Sequence, residues 1–344
     1  MRTSILAAFL ALAGAAALLP ADAPAPEKPY TPNVAPASDE PLTAVKKIRV
    51  PPGLQISLWA AEPMFANPVC FCFDEKGRCF VAETWRLHHG VTDIRGHMNW
   101  LDDDLACRTV ADRVAMYRKF EGKKFDWYET DHDRIRLLED TTGSGKADKA
   151  TTFADGFRHA DEGLGAGLLA RQGKVWYTCI PSLWQLEDTK GTGTADVRKP
   201  LHTGYGVHNG FIGHDLHGLR MGPDGKLYFS IGDRGLNVQT EDRSVAAPDC
   251  GSVLRCNPDG SELELVHTGL RNPQELAFDQ YGNLFTGDNN ADGGDAARWV
   301  YIVEGGDSGW RIGYQFMHVP GTLGPWNAEK LWHTAWDGQA AYLV

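Results

Sequence analysis

In the stretch GLRNPQELAFD (269–279), Arg271, Asn272 and Gln274 stand immediately ahead of the apolar strand that begins at Leu276. A guanidinium is a rigid fork of donors suited to carboxylate or quinone oxygens, and two amides add further donors. Pro273 holds Asn272 extended. The cluster is either a polar cap on a turn between sheets, with a salt bridge, or a set of donors facing a pocket. A second cluster, VHNGFIGHDLHG, holds His208, His214 and His217. His214 falls at the mouth of one strand and Asp233 at the end of the next, so the two can approach. The carboxylate would then orient the imidazole and raise its basicity, making His214 a general base. The plainer reading is a solvated loop histidine, with Asp233 as a turn former. His208 and His217 are weaker candidates.

Oxygen-rich loops form a third group. Asp288, Asn289, Asn290, Asp292 and Asp295 crowd one loop before the apolar stretch Trp299 to Val303. Such a loop suits a hard cation and equally suits an ordinary turn. Asp140 to Asp148 and Asp188 to Asp196 have the outline of calcium loops. Their third and fifth positions are Thr142 and Ser144, then Lys190 and Thr192. That leaves too few carboxylates for tight binding, and the plainer expectation is Gly-rich turns closed by Asx hydrogen bonds.

Short strands must position these groups. One pattern recurs: a strand, a turn ending in Gly, and a second strand of alternating apolar residues. The copies are FCFDEKGRCFVAE (71–83), GLLARQGKVWYTCI (167–180), GLRMGPDGKLYFSIGD (218–233) and LAFDQYGNLFTGD (276–288). A second repeat runs in phase, LLEDTTGSGKADKATTFADGF (137–157) with QLEDTKGTGTADVRKPLHTGY (185–205). Units of about four strands predict an all-β chain folded as a β-propeller, with four units near 54–160, 161–210, 211–270 and 271–344. Residues 88–120 interrupt the pattern. Helical spacing over 109–120, with Val110, Val114 and Tyr117 on one face, marks a helix-bearing loop inserted into the first unit. The chain ends in strand-like GQAAYLV with no cap, so a truncated piece of a longer protein is expected.

The 344 residues are 42% hydrophobic, enough to bury a core. A net charge of −11 argues against non-specific binding to nucleic acid or anionic membrane. Arg2, the apolar run Ile5 to Leu19 and the small-x-small Ala21-Asp22-Ala23 predict a signal peptide over 1–23. A Pro/Ala-rich flexible leader over 24–49 and a propeller domain from 50 to 344 follow. The expected location is exported, periplasmic or extracellular, with an uncleaved membrane anchor as the alternative. In that oxidising setting seven cysteines leave at least one unpaired. Cys72 and Cys79 flank the turn 74–77 and are expected to face each other, either as a strained disulfide or as two buried thiols. Cys250 and Cys256 are too far apart on one segment to bond.

Taken together, GPDGKLYFSIGDRG after His214, GSVLRCNPDGS, GLRNPQELAF and GGDSGW resemble, in order and spacing, the soluble quinoprotein glucose dehydrogenases and their sorbosone-dehydrogenase-like relatives. The wider chain, including HMNWLDDDLACRTVADRVAMYRK, looks like the large membrane-bound-dehydrogenase-type proteins of planctomycete-like bacteria. The resemblance implies a six-bladed propeller, about four blades of it present here, carrying pyrroloquinoline quinone (PQQ) and calcium. It implies His214 as the base that takes a sugar or alcohol hydroxyl proton, with Asp233 as its partner. It places Arg271, Asn272 and Gln274 on the cofactor, and a rebuilt or lost metal site at Asp288, Asn289 and Asn290. A cytochrome or haem domain would accept the electrons. Two other readings stand beside this dehydrogenase: a non-catalytic propeller that binds a glycan or protein partner, and a calcium-dependent lactonase-type hydrolase.

Overall fold

Each repeated turn closes an antiparallel hairpin in the computed structural model of the chain, which describes residues 30–292 and 296–316. The stretch read as a signal peptide, Asp295 and the terminal GQAAYLV lie outside the described residues. The elements belong to one compact unit that begins at Pro32.

β1 (Pro68–Phe73), β2 (Cys79–Glu83), β3 (Asp133–Glu139) and β4 (Lys149–Phe157) pair antiparallel in sequence order. So do β5 (Gly165–Arg171), β6 (Lys174–Cys179), β7 (Ser182–Glu187) and β8 (Val197–Thr203). The third sheet is built from β9 (Leu216–Met221) and β10 (Leu227–Ile231), then, after the hairpin β11 (Leu236–Gln239) and β12 (Ser244–Ala247), β13 (Gly251–Cys256) and β14 (Glu264–Leu270). The fourth holds β15 (Leu276–Phe278), β16 (Leu284–Asp288) and β17 (Arg298–Tyr301). β18 (Gly306–Asp307) returns to pair parallel with β14. The first strands β1, β5, β9 and β15 are neighbours in turn. This is a four-bladed β-propeller arrangement.

Strand alternation explains the packing, because successive side chains point to opposite faces and each inner blade has two neighbours. On β6, Val175 and Tyr177 meet Phe80, Ile135 and Leu137 of the first blade, while Trp176 joins Leu219, Phe229 and Leu254 of the third. Tyr228, Val253 and Val266 meet Leu276, Leu284 and Ile302 of the fourth. Each such large side chain contributes about 1.5–3 kcal/mol on burial.

The outer faces of the end blades differ. Phe71 is 64% exposed, with Val69 and Phe73 beside it. On the fourth blade Trp299 is 71% exposed, and Phe285 stacks on it at 6.0 Å.

The Asp-rich turns are closed by their own carboxylates. Asp140 accepts from the Ser144 and Gly145 amides and Asp188 from those of Thr192 and Gly193, while Asp148 and Asp196 bind Thr141 and Thr189. The turn after β1 shows why the expected Cys72–Cys79 pairing fails. Asp74 accepts from the amides of Lys76 and Arg78, which lengthens the turn to five residues and shifts the register by one. Phe73 faces Cys79, Cys72 faces Phe80, and all seven cysteines are free.

Helices are few. α1 (Glu40–Val45) falls within the stretch read as a flexible leader. α2 (Leu101–Ala106) and α3 (Val110–Glu121) lie in the insertion between β2 and β3. α3 starts at a capping box in which Thr109 and Asp112 satisfy each other's amides. Its fully buried residues are Arg113, Met116 and Tyr117, with Val114 half-buried against the same cluster and Val110 half-buried. The guanidinium is drawn inward by the carbonyls of Gly206 and Asp161, at 2.8 Å each. Among the described residues no helix is long and apolar enough to cross a membrane.

Candidate active site

The loop 204–215 between β8 and β9 carries His214 to the end of the third blade. Its path is set largely by the insertion. Asp104, fully buried, accepts from the amides of Asn209 (2.6 Å) and Gly210 (3.1 Å), and its carbonyl takes His208 Nδ1 at 2.6 Å. Thr92 and Tyr117 both donate to Asn209 Oδ1. Asp93 accepts from the amide of Ile212, and the amide of Ile94 binds the carbonyl of Gly210. Beneath the loop, Asp215 and Arg234 form a fully buried pair at 2.6 Å.

β10 ends at Ile231 and is followed by Gly232 and Asp233. A side chain at Gly232 would lie 2.8 Å from His214 Cβ and 2.9 Å from Asn272 Oδ1, so only glycine lets these three segments converge. The amide of Asp233 binds the carbonyl of Arg271 at 2.7 Å, which ties the loop before β15 to the same point.

His214 Nδ1 lies 2.7 Å from Asp233 Oδ1, and Trp310 Nε1 donates to Oδ2 at 2.9 Å. Burial pushes the Asp233 carboxyl up, but the His214 imidazole, the Arg271 guanidinium and the Trp310 indole together hold it below the ordinary range. An ionised carboxylate only accepts, so Nδ1 carries the proton and Nε2 is left as the basic nitrogen.

Arg271 is buried. Its Nε donates to Gln315 Oε1 and its Nη2 to Asp292 Oδ2, each at 2.9 Å. Phe211 and Trp310 lie against the guanidinium at 5.5 and 5.7 Å. Arg271 Nη1 and Asn272 Oδ1 are buried with no hydrogen-bond partner among the described residues. Buried polar groups are ordinarily satisfied, so these two mark a place where a polar ligand would be accepted.

The structure thus brings together His214, Asp233, Arg271 and Asn272. Gln274 is exposed and reaches the Gly213 carbonyl at 3.4 Å. Asp288 turns inward. It accepts from the amides of Arg271 and Asn272 and pairs with Arg298 at 2.8 Å, with Asn289 and Asn290 half-buried next to it. No group of three or more His, Cys, Asp or Glu that could hold a metal occurs among the described residues. His217 binds the Gly213 carbonyl, and burial pushes its imidazole down. His208 is fully buried. Burial lowers its imidazole, but Asp249 and Asp104 outweigh that and raise it.

Sequence reasoning missed Trp310, Asp104, Asp93 and Gln315. Trp310 carried a signal, since it closes the GGDSGW motif. Asp104 and Gln315 reach groups far away in the chain, and Asp93 adds the distant Ile212 amide to its local hold on Arg95, contacts that a sequence does not show.

The family described as "Domain of unknown function (DUF7133)" matches residues 40–304. Quinoprotein glucose dehydrogenase B of Acinetobacter calcoaceticus is 32% identical over 124 residues, covering 28% of this chain and 26% of that protein. The chain therefore spans about a quarter of the length of this curated relative. Among solved structures, the PQQ-bound aldose sugar dehydrogenase of Streptomyces coelicolor aligns over 81% of this chain and 67% of its own, at 16% identity and a TM-score of 0.42. The PQQ domain of a pyranose dehydrogenase from Coprinopsis cinerea aligns over 65% and 44%, at 13% identity and a TM-score of 0.35.

Proposed function

The chain belongs to the DUF7133 family, and from that premise we propose that it is an exported, PQQ-type dehydrogenase-like propeller acting on a sugar or alcohol hydroxyl. The observation that carries the reading is the His214–Asp233 pair set beside the unsatisfied Arg271 Nη1 and Asn272 Oδ1. The local identity to a quinoprotein glucose dehydrogenase supports it.

The free Arg271 Nη1 would donate to a quinone or carboxylate oxygen, and Asn272 Oδ1, an acceptor, would take an N–H or O–H of the bound group, so these two residues would hold it. When bound, PQQ supplies the two-electron acceptor. His214 would take the hydroxyl proton at Nε2, and the hydride of the carbinol C–H bond would go to that two-electron acceptor. Asp233 keeps Nδ1 protonated, fixes the ring plane and stabilises the imidazolium that forms. Trp310 and the Arg271 carbonyl hold Asp233 in place. Calcium does not fit the expected position, because Asp288 is already bound to two amides and to Arg298. No step is assigned to a metal. A haem domain as electron acceptor remains part of the proposal on the resemblance alone.

The test is a PQQ titration of this chain and of the full-length gene product, followed by absorbance. Saturable binding that Arg271→Lys weakens about 10- to 100-fold is expected, since one or two charge-assisted hydrogen bonds are lost. Absence of saturable binding in both proteins would remove the dehydrogenase reading.

A further inference from the structure

The insertion between β2 and β3 carries an open cavity of ≈ 710 Å³ that the proposed chemistry does not use. Its size falls in the usual range of ligand pockets, about 300–1,000 Å³. Its walls are the 3-10 turns Ile94–Gly96 and Gly122–Glu129 and the residues next to them.

The floor is rigidly built. Asp93 grips Arg95 with both oxygens, at 2.9 Å from Nε and 2.7 Å from Nη2, and also takes the Ile212 amide. The Arg95 guanidinium lies over the Phe211 ring at 4.4 Å. A flat guanidinium held this way still offers Nη1 to a ligand.

The rim is different in kind. Lys123 and Lys124 line the cavity, both exposed, and neither has a carboxylate partner among the described residues. Asp93 offsets Arg95, and Glu121 is the other carboxylate in the lining, so the two unpaired ammonium groups leave the pocket mouth net positive in a chain of net charge −11, a local site for an anion. Trp127 stands beside them, 37% exposed. Its ring crosses that of Tyr128 at 79°, so Tyr128 does not cover it by stacking. His88 and His97 line the same wall, and His97 is fixed there by its Nδ1 on the Asp93 carbonyl at 3.0 Å.

An aromatic face suits the C–H face of a sugar ring. Ammonium groups suit a carboxylate or sulfate, and guanidinium and imidazole nitrogens suit hydroxyls. We propose that this cavity is a binding site for an anionic saccharide, with Trp127 as the platform and Lys123 and Lys124 as the counter-charges. The site goes beyond the dehydrogenase reading and does not need PQQ. It adjoins the candidate active site, since the Phe211 ring beneath Arg95 lies 5.6 Å from the His214 ring.

The test is calorimetric titration of the full chain, without PQQ, with three probes: a uronate oligosaccharide, a sulfated oligosaccharide and a neutral one of equal length. At least one anionic probe should bind saturably and at least tenfold more tightly than the neutral probe, with affinity falling as salt rises. The stronger anionic probe then identifies the anion. Lys123→Ala/Lys124→Ala should weaken that binding at least tenfold with the melting temperature unchanged, since both lysines are exposed. Trp127→Ala should weaken it at least tenfold as well; because the ring packs edge-on against Tyr128, that variant is titrated below its own melting temperature, with its fold checked by circular dichroism. Equal affinity for all three probes, no saturable binding of any, or binding unmoved by both variants overturns the proposal. Because no quinone is present, the result is independent of the PQQ titration.

Discussion

His214 and Asp233 meet at 2.7 Å across the ends of two adjacent strands, and the far oxygen of Asp233 is held by Trp310 at 2.9 Å. The carboxylate therefore cannot rotate away without breaking a second buried bond. Asp233→Asn keeps the shape but puts an amide where the carboxylate accepted the Nδ1–H hydrogen bond, so the neutral imidazole can adopt the wrong tautomer. Turnover of a PQQ-loaded, full-length enzyme should fall about 10²- to 10⁴-fold, with KM changed little. Steady-state kinetics over a pH series check it. A variant that keeps wild-type kcat would show that the pair is only structural.

The closeness of the two was legible in the sequence because they flank one hairpin, His214 just before β9 and Asp233 just after β10, whose turn, Pro223 to Lys226, is recognisable. Four blades were legible for the same reason, since a turn glycine recurs in each. The Cys72–Cys79 register was not, because one carboxylate, that of Asp74, decides whether the turn has four residues or five. Asp288 read as a metal ligand because sequence shows a carboxylate in an oxygen-rich loop but not the amides of Arg271 and Asn272 that it satisfies. Asp104 was unreadable for a stronger reason. Its partners are backbone groups more than a hundred residues away, and backbone has no sequence signature.

Asp104 gives the next prediction. Asp104→Asn replaces one acceptor oxygen with a donor facing the Asn209 or Gly210 amide, leaving a buried donor unsatisfied at a cost of about 1–3 kcal/mol. Urea denaturation should show that loss. Hydrogen exchange should rise selectively over 206–214, the segment the insertion clamps. Uniform exchange across the blades would mean that the insertion does not position His214.

The end blades expose aromatic faces, Phe71 and Phe73 on one and Trp299 and Tyr301 on the other. Contiguous apolar surface of this kind drives association. The chain should self-associate with rising concentration in sedimentation velocity, and Trp299→Gln/Tyr301→Gln should shift it toward the monomer. Indifference to that change would place the association surface elsewhere.

Asp133 offers a pH signature. It is buried and accepts from the Thr84 hydroxyl and the Trp85 amide, and its second oxygen has no partner among the described residues. Burial pushes its carboxyl up to about 6, against the opposing pull of Arg86 and those two hydrogen bonds. The folded state therefore holds the proton more tightly than the unfolded chain does. Its stabilising contribution is complete below about pH 4 and is lost as pH rises through about 6. Asp133→Asn mimics the protonated form. Relative to wild type, the variant should gain stability between pH 4.5 and pH 8 by up to about 3 kcal/mol, the free-energy equivalent of that shift. Denaturant unfolding at the two pH values measures the change, and a stability difference that stays constant between them would show that Asp133 does not titrate in this range.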